Sequence, residues 1–519
     1  MPLYHIEDGS IIGQPDAVTN GNRRASQHAL QNWLTALLLL VCAGYYAVPL
    51  ADSDFWWHIA AGREILHTGG LPDVDPFGVF PAADPIRNDT VLKGQWLGQV
   101  VLYGLYRMGG IDAVVAFRVA VLLICIALIH ARARLLSAGH PLALWAVLAL
   151  VALNAGGFGG ERPQLLSFLF AALFFVCIDL ARQRRDWRWL WALPPITVLW
   201  ANSHGGVILG VVLLGLWSAL GWLDKSLPPR ERRQWLAVSG VVFLASLLTP
   251  NGIQTYLYLF QLEGSVLQQR TSEYTSTLQL YELGLVWQQV WVYGYFLLVA
   301  AGLAGLLWLR RWQEAAVVAF LAAISMSSYR YFAFLLFLAA PYLVLGLGRL
   351  MPAWLSGLAS PRRVLALAAS LLLAVLATGV VRGAVFQGGL HRMAYPVAIA
   401  DFVERQKLGG RAFNNLEWGG YLLWRLGGQV RPYIDGRMLD MSRFPPYTHI
   451  LWATPQGVQW FDRYNFQLVI LPYHGRFNPQ RYKLIDYLSQ RRDWRLAYRD
   501  AQGVVFVRRG ARDLFGGRR

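Results

Sequence analysis

The sequence predicts an α-helical polytopic membrane protein of about eleven transmembrane helices with a C-terminal non-cytoplasmic α/β domain. Three observations lead there. The 519-residue chain is 55% hydrophobic and 15% charged, with a mean hydropathy of +0.37, which is too apolar for an ordinary soluble protein. Its apolar residues come in long blocks, as expected where every crossing must satisfy its own backbone hydrogen bonds. Lys and Arg gather in alternate connections between those blocks.

The first 30 residues are polar and lack the charged, apolar and small-residue regions of a cleaved signal. They are expected to be a cytoplasmic segment ahead of a retained anchor. The predicted spans are 31–50, 111–130, 141–155, 163–181, 188–203, 205–223, 235–250, 290–309, 314–328, 331–350 and 364–382, which together give a transmembrane domain over 31–382. Arg23 and Arg24, Arg132 and Arg134, Arg182 to Arg188, Lys225 to Arg233, Arg310 and Arg311, and Arg362 and Arg363 fall on one side. The alternate connections carry Asp52, Asp54, Asp73, Asp75, Glu161, Glu263 and Glu273 instead. The positive-inside rule then puts the N-terminus in the cytoplasm and the C-terminus outside. The 22 Trp and 23 Tyr suit interfacial belts, and Cys42, Cys125 and Cys177 lie within apolar runs as small buried hydrophobes.

Two non-cytoplasmic parts are large: the first loop, 51–110, and the tail, 383–519. The loop opens ADSDFWWHIAAGREILHTGGLPDVDPFG. Asp54 can cap a helix running to Thr68, with Gly69 and Gly70 as its stop. Phe55, Ile59 and Leu66 mark one stripe of that helix, Asp54 and His58 share another face, and Trp56 and Trp57 suit the membrane interface. A second amphipathic surface helix is expected between Gln95 and Gly110. Two acids and a histidine beside a membrane cavity exceed what capping needs, and charge at the bilayer edge is costly. Asp54, with Asp52 and His58, is therefore the candidate catalytic group, suited to taking a proton from a hydroxyl. The sequence names no certain cofactor, and a divalent cation is the one candidate. If a metal is used, Asp52 and Asp54 are the pair that would hold a divalent cation.

Other polar residues are predicted on the same side. Glu161 and Arg162 follow the third span, Asn202 and His204 form the turn after the fifth, Asn251 ends the seventh, and Arg330 follows the ninth. Each alone reads as a turn or a snorkelling side chain. Together, Arg162, His204 and Arg330 are donors suited to a phosphate whose charge grows as a bond breaks, with Glu161 and Asn202 beside them.

The tail alternates strand-like runs (RPYIDGR, FQLVILPY, GVVFVRR) with helical ones (VAIADFVERQ, YKLIDYLSQRR). It holds 21 Lys+Arg against 10 Asp+Glu, which is +11 of the chain's +17. That excess is a solvated surface or an attraction to lipid phosphates or anionic glycan; lying outside the cytoplasm, it implies no nucleic-acid partner. Within FNNLEWGGYLLWRLGGQVRPYIDGRM, Gly419 and Gly420 permit close packing and Asp435-Gly436-Arg437 ends a strand. Glu417, Asp435 and Arg437 are secondary candidates for a ligand site in the outer domain, against turn formation and an internal ion pair as the simpler account.

An acidic first outer loop between two surface helices, many spans and an outer α/β tail resemble the GT-C superfamily of polyprenyl-phosphate-sugar-dependent membrane glycosyltransferases. The strings DSDFWWHIAAGREILHTGGLPDVDPFG and NNLEWGGYLLWRL…VRPYIDGRM are similar to a bacterial group of multi-spanning GT-C-like proteins. The resemblance implies an enzyme of the bacterial inner membrane whose partners are a polyprenyl-phosphate-linked sugar, membrane lipid, and a glycan, lipid or protein acceptor. It also implies that an acidic residue of the first loop, by position Asp54 with Asp52 as its partner, activates the acceptor or helps bind a metal. The tail has no Trp-Trp-Asp motif of the oligosaccharyltransferase type; Glu417-Trp418-Gly419-Gly420 is not an equivalent, which argues against N-glycan transfer. Two rivals remain. A transporter or flippase predicts ionisable residues deep in the spans, of which only Arg118 and Asp179, near span ends, are visible. A non-catalytic assembly or scaffold subunit predicts that Asp52, Asp54 and His58 are replaceable.

Overall fold

The computed structural model describes residues 16–79, 85–136, 141–262, 274–283, 285–351, 389–475 and 480–510, with side chains from residue 31 onward and fragments of 365–380. Glu263, Glu273, Arg362, Arg363 and about half of the predicted span 364–382 lie outside the described residues, as do the side chains of Arg23 and Arg24.

The helical body follows the apolar blocks. α1 (Asp16–Tyr46) leads into the first loop, which holds α2 (Phe55–Thr68) and α3 (Pro85–Lys93). α4 (Trp96–Leu135) is followed by α5 (Pro141–Ala155), α6 (Gln164–Arg184), α7 (Leu193–Ser203), α8 (Val207–Leu223), α9 (Pro229–Ser246) and α10 (Gln254–Leu262). α11 (Val286–Trp308), α12 (Trp312–Ser327) and α13 (Tyr329–Leu350) complete it. Among the described residues, five helices are long and apolar enough to cross a membrane: Ile86–Leu135, Pro141–Phe158, Gln164–Arg184, Gln288–Trp308 and Tyr329–Leu350. Val207–Leu223 and Trp312–Ser327 are shorter apolar helices. The predicted surface helix over 95–110 is the first part of α4. It joins the apolar part through a break at Gly109 and Gly110, and Gly110 has φ 63°, which glycine adopts at little cost.

α11 and α13 cross with almost no side chain between them. A Cβ on Gly346 would lie 2.0 Å from the Gly302 carbonyl oxygen, and one on Gly305 2.0 Å from the carbonyl oxygen of Gly346. Small residues at such a crossing let backbones approach and pack where lipid supplies no hydrophobic drive. α13 also contains a π-type turn over Leu335–Ala339. Its carbonyls find partners nearby: the Tyr295 hydroxyl faces those of Leu335 and Leu336 at 3.4 Å, and Arg132 donates to that of Leu338 at 3.2 Å.

That arginine corrects the sequence reading. Arg132 was expected among the solvated, orientation-setting charges, yet it is buried. Its Nε donates to Asp179 at 2.6 Å, and Tyr342 donates to the other oxygen of Asp179 at 3.0 Å. Nearby, Arg182 and Arg311 both pair with buried Glu314. The buried carboxylates Asp179 and Glu314 are tolerated because each has an arginine partner within the bundle.

The tail forms α14 (Val397–Arg405), β1 (Gly410–Asn414), α15 (Leu416–Arg425), β2 (Val430–Pro432), α16 (Phe444–Leu451), α17 (Pro455–Tyr464), β3 (Leu468–Pro472), α18 (Lys483–Gln490), β4 (Trp494–Arg499) and β5 (Gly503–Arg508). The sheet order is β2-β1-β3-β5-β4, with β1 parallel to β2 and β3, and β5 antiparallel to β3 and β4. Alternate residues face opposite layers, as a pleated strand requires. Ala412, Leu468, Ile470, Val505 and Val507 pack with α2, α14 and α15, while Phe413, Val469, Leu471 and Phe506 pack with α16 to α18. β1, β4 and α15 to α17 had no counterpart among the expected elements.

Placing α2 corrects a further expectation. Phe55 to Gly62 are buried all round, because α2 lies between α4 and α15; only the far end, with Leu66, is exposed. Trp56 is not interfacial. It packs edge-on against Tyr395 and Tyr421 at 5.5 and 5.0 Å, and Trp57 is buried as well.

The α11–α13 crossing is testable. Gly346→Leu should lower stability by at least about 1–3 kcal/mol through overpacking. Gly215→Ala, where an added Cβ meets nothing within 4 Å, should be tolerated. Thermal midpoints in detergent separate the two.

Candidate functional site

The loops that follow α1, α5 and α12 and precede α6 meet at one end of the bundle. Asp52, Gly160, Arg162, Gln164, Tyr329 and Arg330 line a cavity of about 160 Å³ there. Arg162 organises its acidic wall. Its Nε donates to Asp52 at 2.6 Å and its NH1 lies 3.1 Å from Asp54. Gly160 is obligatory beneath this pair, since a Cβ there would stand 2.3 Å from Asp52 Oδ2.

Asp54 occupies the N-cap position of α2, and Gly69 ends the helix with φ 69°, as the sequence indicated. Yet the Asp54 side chain makes no cap hydrogen bond. Asp52 takes a related role, with its Oδ1 accepting from the Asp54 N–H at 2.9 Å. The Asp54 carboxylate is thus turned toward Arg162. From the tail, the Tyr395 hydroxyl donates to the carbonyl of Asp52 at 2.9 Å.

His58 stands one turn beyond Asp54, buried, with Nδ1 lacking a hydrogen-bond partner among the described residues. Burial first, then the charge of Arg162, push its imidazole well below the ordinary 6.5. It is therefore neutral at pH 7, and Asp54, Arg162, His58 and His204 share one neighbourhood. His204 ends α7. The Gly206 N–H donates to its Nδ1 at 3.0 Å, so the proton of the neutral ring is assigned to Nε2. Ser167 Oγ lies 2.8 Å from the same Nδ1 and accepts from Trp200 at 2.7 Å.

Glu161 is buried against Arg118, which also donates to the carbonyls of Tyr46 and Val48. Burial pushes the Glu161 carboxyl up to about 7, against the pull of the Arg118 charge. Asn202 bonds Trp96 at 2.7 Å and the Leu248 carbonyl at 2.8 Å, bordering a separate apolar groove. Arg330 donates to the Tyr274 hydroxyl at 2.9 Å while lining the cavity. Asn251 donates to the carbonyl of Asp89 at 3.2 Å.

The tail candidates divide. Glu417 sits in the first turn of α15, its N–H held by the Asn415 cap at 3.0 Å. Asp435 and Arg437 form a buried pair, and Arg437 also clasps Asp75 of the first loop. Burial alone would raise the Asp435 carboxyl; the Arg437 charge outweighs it and holds the group below its usual range. Asp73 instead bonds Lys93 at 2.7 Å on the surface. The sequence offered no signal for Arg118 as a partner of Glu161, nor for Gly160 or Gly436 as contacts of the carboxylates.

Among the described residues, no three His, Cys, Asp or Glu side chains stand together as a metal centre would need. The two carboxylates that could begin one already share the Arg162 cation, so this donor set does not fit a divalent ion.

No protein-family model and no curated protein matches the chain in sequence. Solved structures do match in fold. An oligosaccharyltransferase AglB from Archaeoglobus fulgidus, in complex with an inhibitory peptide and a dolichol-phosphate, superposes with a TM-score of 0.55 at 9% identity, covering 87% of this chain and 70% of that one. The apo oligosaccharyltransferase of the same organism gives 0.54 at 11%, covering 85% and 69%. ArnT from Cupriavidus metallidurans bound to undecaprenyl phosphate gives 0.49 at 15%, covering 91% and 97%. The class is thus a helical membrane protein with the GT-C fold. The resemblance read from the sequence is supported at the level of fold.

Two outcomes test the local electrostatics. Because His58 binds its proton only at a pH well below 6.5 when folded, the unfolded chain takes up the extra proton as pH falls through 6.5. Stability should drop over that window, by up to about 1.4 kcal/mol per pH unit, and less so in His58→Gln. Glu161 titrates with the opposite sign, so the measurement is the difference between variant and wild-type thermal midpoints at pH 7.5 and 5. Arg437→Met, which strands Asp435 and Asp75, should cost about 3–5 kcal/mol by thermal or denaturant unfolding.

Proposed function

We propose that the chain is a membrane glycosyltransferase that moves a sugar from a polyprenyl-phosphate-linked donor to an acceptor hydroxyl on the non-cytoplasmic face. The observation that carries this reading is Arg162 holding Asp52 and Asp54 beside a cavity it shares with Arg330. The same fold in AglB has been solved with a dolichol-phosphate, which supports a lipid-phosphate ligand here.

In this mechanism Asp54 takes the acceptor proton. The acceptor oxygen forms a bond to the anomeric carbon, the carbon–oxygen bond to phosphate breaks, and polyprenyl phosphate leaves with the electron pair. One displacement inverts the anomeric centre. Arg162 and Arg330, with His204 donating through Nε2, stabilise the charge that grows on the phosphate, and Asp52 aims Arg162. Alignment of donor and acceptor supplies much of the rate. No step is routed through a metal. The acceptor, whether glycan, lipid or protein, is left open by these residues.

An apolar groove of about 710 Å³ lies between the exposed end of α2 and the outer ends of α7 and α9, lined by Leu66, Leu71, Trp96, Leu248 and Pro250. It suits the isoprenoid chain of the donor. The full arrangement we propose has about eleven spans, a cytoplasmic segment 1–30, a transmembrane domain 31–382 with the outer loop 51–110, and an outer domain 383–519, in a bacterial cytoplasmic membrane. Transport is disfavoured because the buried charges Arg118, Arg132, Asp179 and Glu314 are each paired with an opposite charge.

Sugar transfer from a polyprenyl-phosphate-linked donor by the purified, reconstituted chain tests the proposal. Asp54→Asn should reduce turnover by about 10²–10⁴-fold. Arg162→Met should reduce it comparably while weakening binding of the lipid phosphate. Undiminished transfer by Asp54→Asn sinks the base assignment, and a scaffold role would leave both variants silent.

A further inference from the structure

Asp54 is touched from the tail. A Cβ on Gly436 would stand 1.9 Å from Asp54 Oδ1 and 3.0 Å from its Cγ, so the backbone of residue 436 lies directly against the carboxylate. Gly436 does not have a positive φ. It is glycine for want of space rather than for conformational freedom.

The turn bearing Gly436 is held from three directions. Asn414 at the end of β1 donates to the Ile434 carbonyl at 2.7 Å. Arg437 grips Asp435 at 2.7 Å, and through its other contacts Asp75 in the first loop. Arg87 of α3 donates to the carbonyls of Met438 and Arg437 at 2.6 and 2.9 Å. One residue of α15 repeats the close approach, since a Cβ on Gly420 would meet the Ser53 carbonyl oxygen at 2.8 Å. The tail thus presses on both Ser53 and Asp54, meeting Oδ1 of the carboxylate whose Oδ2 faces Arg162.

We propose that the Asp435-Gly436-Arg437 turn is a positioning element of the catalytic site, a rigid wall that fixes the Asp54 carboxylate on Arg162. The tail is then part of the reaction centre and not a separate module for holding acceptor. This rests on Asp54 being the base. A side chain at 436 pushes the carboxylate off Arg162, so it should impair the proton transfer while leaving the donor site intact.

A double-mutant cycle on the full chain in detergent tests the contact without any substrate. Gly436→Ala should lower the thermal midpoint by more than about 3 °C when Asp54 is present, and by less than about 1 °C in Asp54→Ala, where the clash is gone. Gly104→Ala, with nothing within 4 Å of its added Cβ, is the glycine control. Equal losses in both backgrounds, or no loss, overturn the proposal. If Gly436→Ala fails to fold alone but folds with Asp54→Ala, the contact is supported; failure in both overturns it. On an undecaprenyl-phosphate-linked sugar that the wild type turns over, Gly436→Ala should lose at least about tenfold in kcat with donor KM within about twofold. Wild-type kcat overturns the positioning role. Coupling in the cycle together with full turnover by Asp54→Asn would instead remove the base assignment, so the two failures are told apart.

Discussion

One guanidinium, that of Arg162, sets the geometry of the acidic rim at one end of the bundle. Two carboxylates two residues apart would repel each other at the edge of a low-dielectric bundle, and a shared cation removes that cost. Several features follow from it. Asp54 forgoes its cap for Arg162, Asp52 accepts from the Asp54 backbone N–H, and residue 160 must be glycine to let Asp52 in. Tyr395 then locks the Asp52 carbonyl from the tail.

The rim could not hold this shape if the first loop moved. α2 is buried between α4 and α15, with Trp56 inserted among Tyr395, Tyr421 and Trp424, and Arg63 stacked 4.3 Å over the Trp424 ring. A helix with such aromatic packing on both sides is a core element, despite lying in a loop between spans. Its charged N-terminal end is delivered to the cavity by packing, in the way that rigid elements position catalytic groups better than free loops do.

Hydropathy located most helices of the body because the signal is long and local, and the α2 stop at Gly69 was legible from turn chemistry. The alternation in FQLVILPY and GVVFVRR gave two central strands for the same reason. What escaped was decided by contacts distant in sequence. β1 is a five-residue buried strand with no alternation of its own, visible only once β2 and β3 flank it. Trp56 and Trp57 carry the same composition as interfacial tryptophans and differ only in having the tail above them. Arg132 resembles a snorkelling cation until Asp179 and Tyr342 are seen around it. Of the candidate site, the acids and basic residues were individually legible, but the pairing of Glu161 with Arg118 and of Asp75 with Arg437 was not, since periodicity says nothing about partners so remote in the chain.

Buried charge occurs at both ends of the bundle, and the proposed chemistry uses only one of them. In the cluster around Asp179, Arg132 lies 5.4 and 5.1 Å from the rings of Phe175 and Tyr342, and Asp179 accepts from both Arg132 and Tyr342, with all three side chains buried. Charges so enclosed have no face left for a ligand, and removing any of them would expose its partner. The cluster around Arg162 is built differently. Arg162 keeps about a quarter of its side chain exposed, and Arg330 faces the same cavity from the first turn of α13. Cations that are oriented by carboxylates yet still accessible can exchange part of that pairing for a phosphate. Enclosed pairs such as Arg132 with Asp179 fasten helices together, whereas half-open pairs such as Arg162 with its carboxylates are suited to binding and releasing an anion.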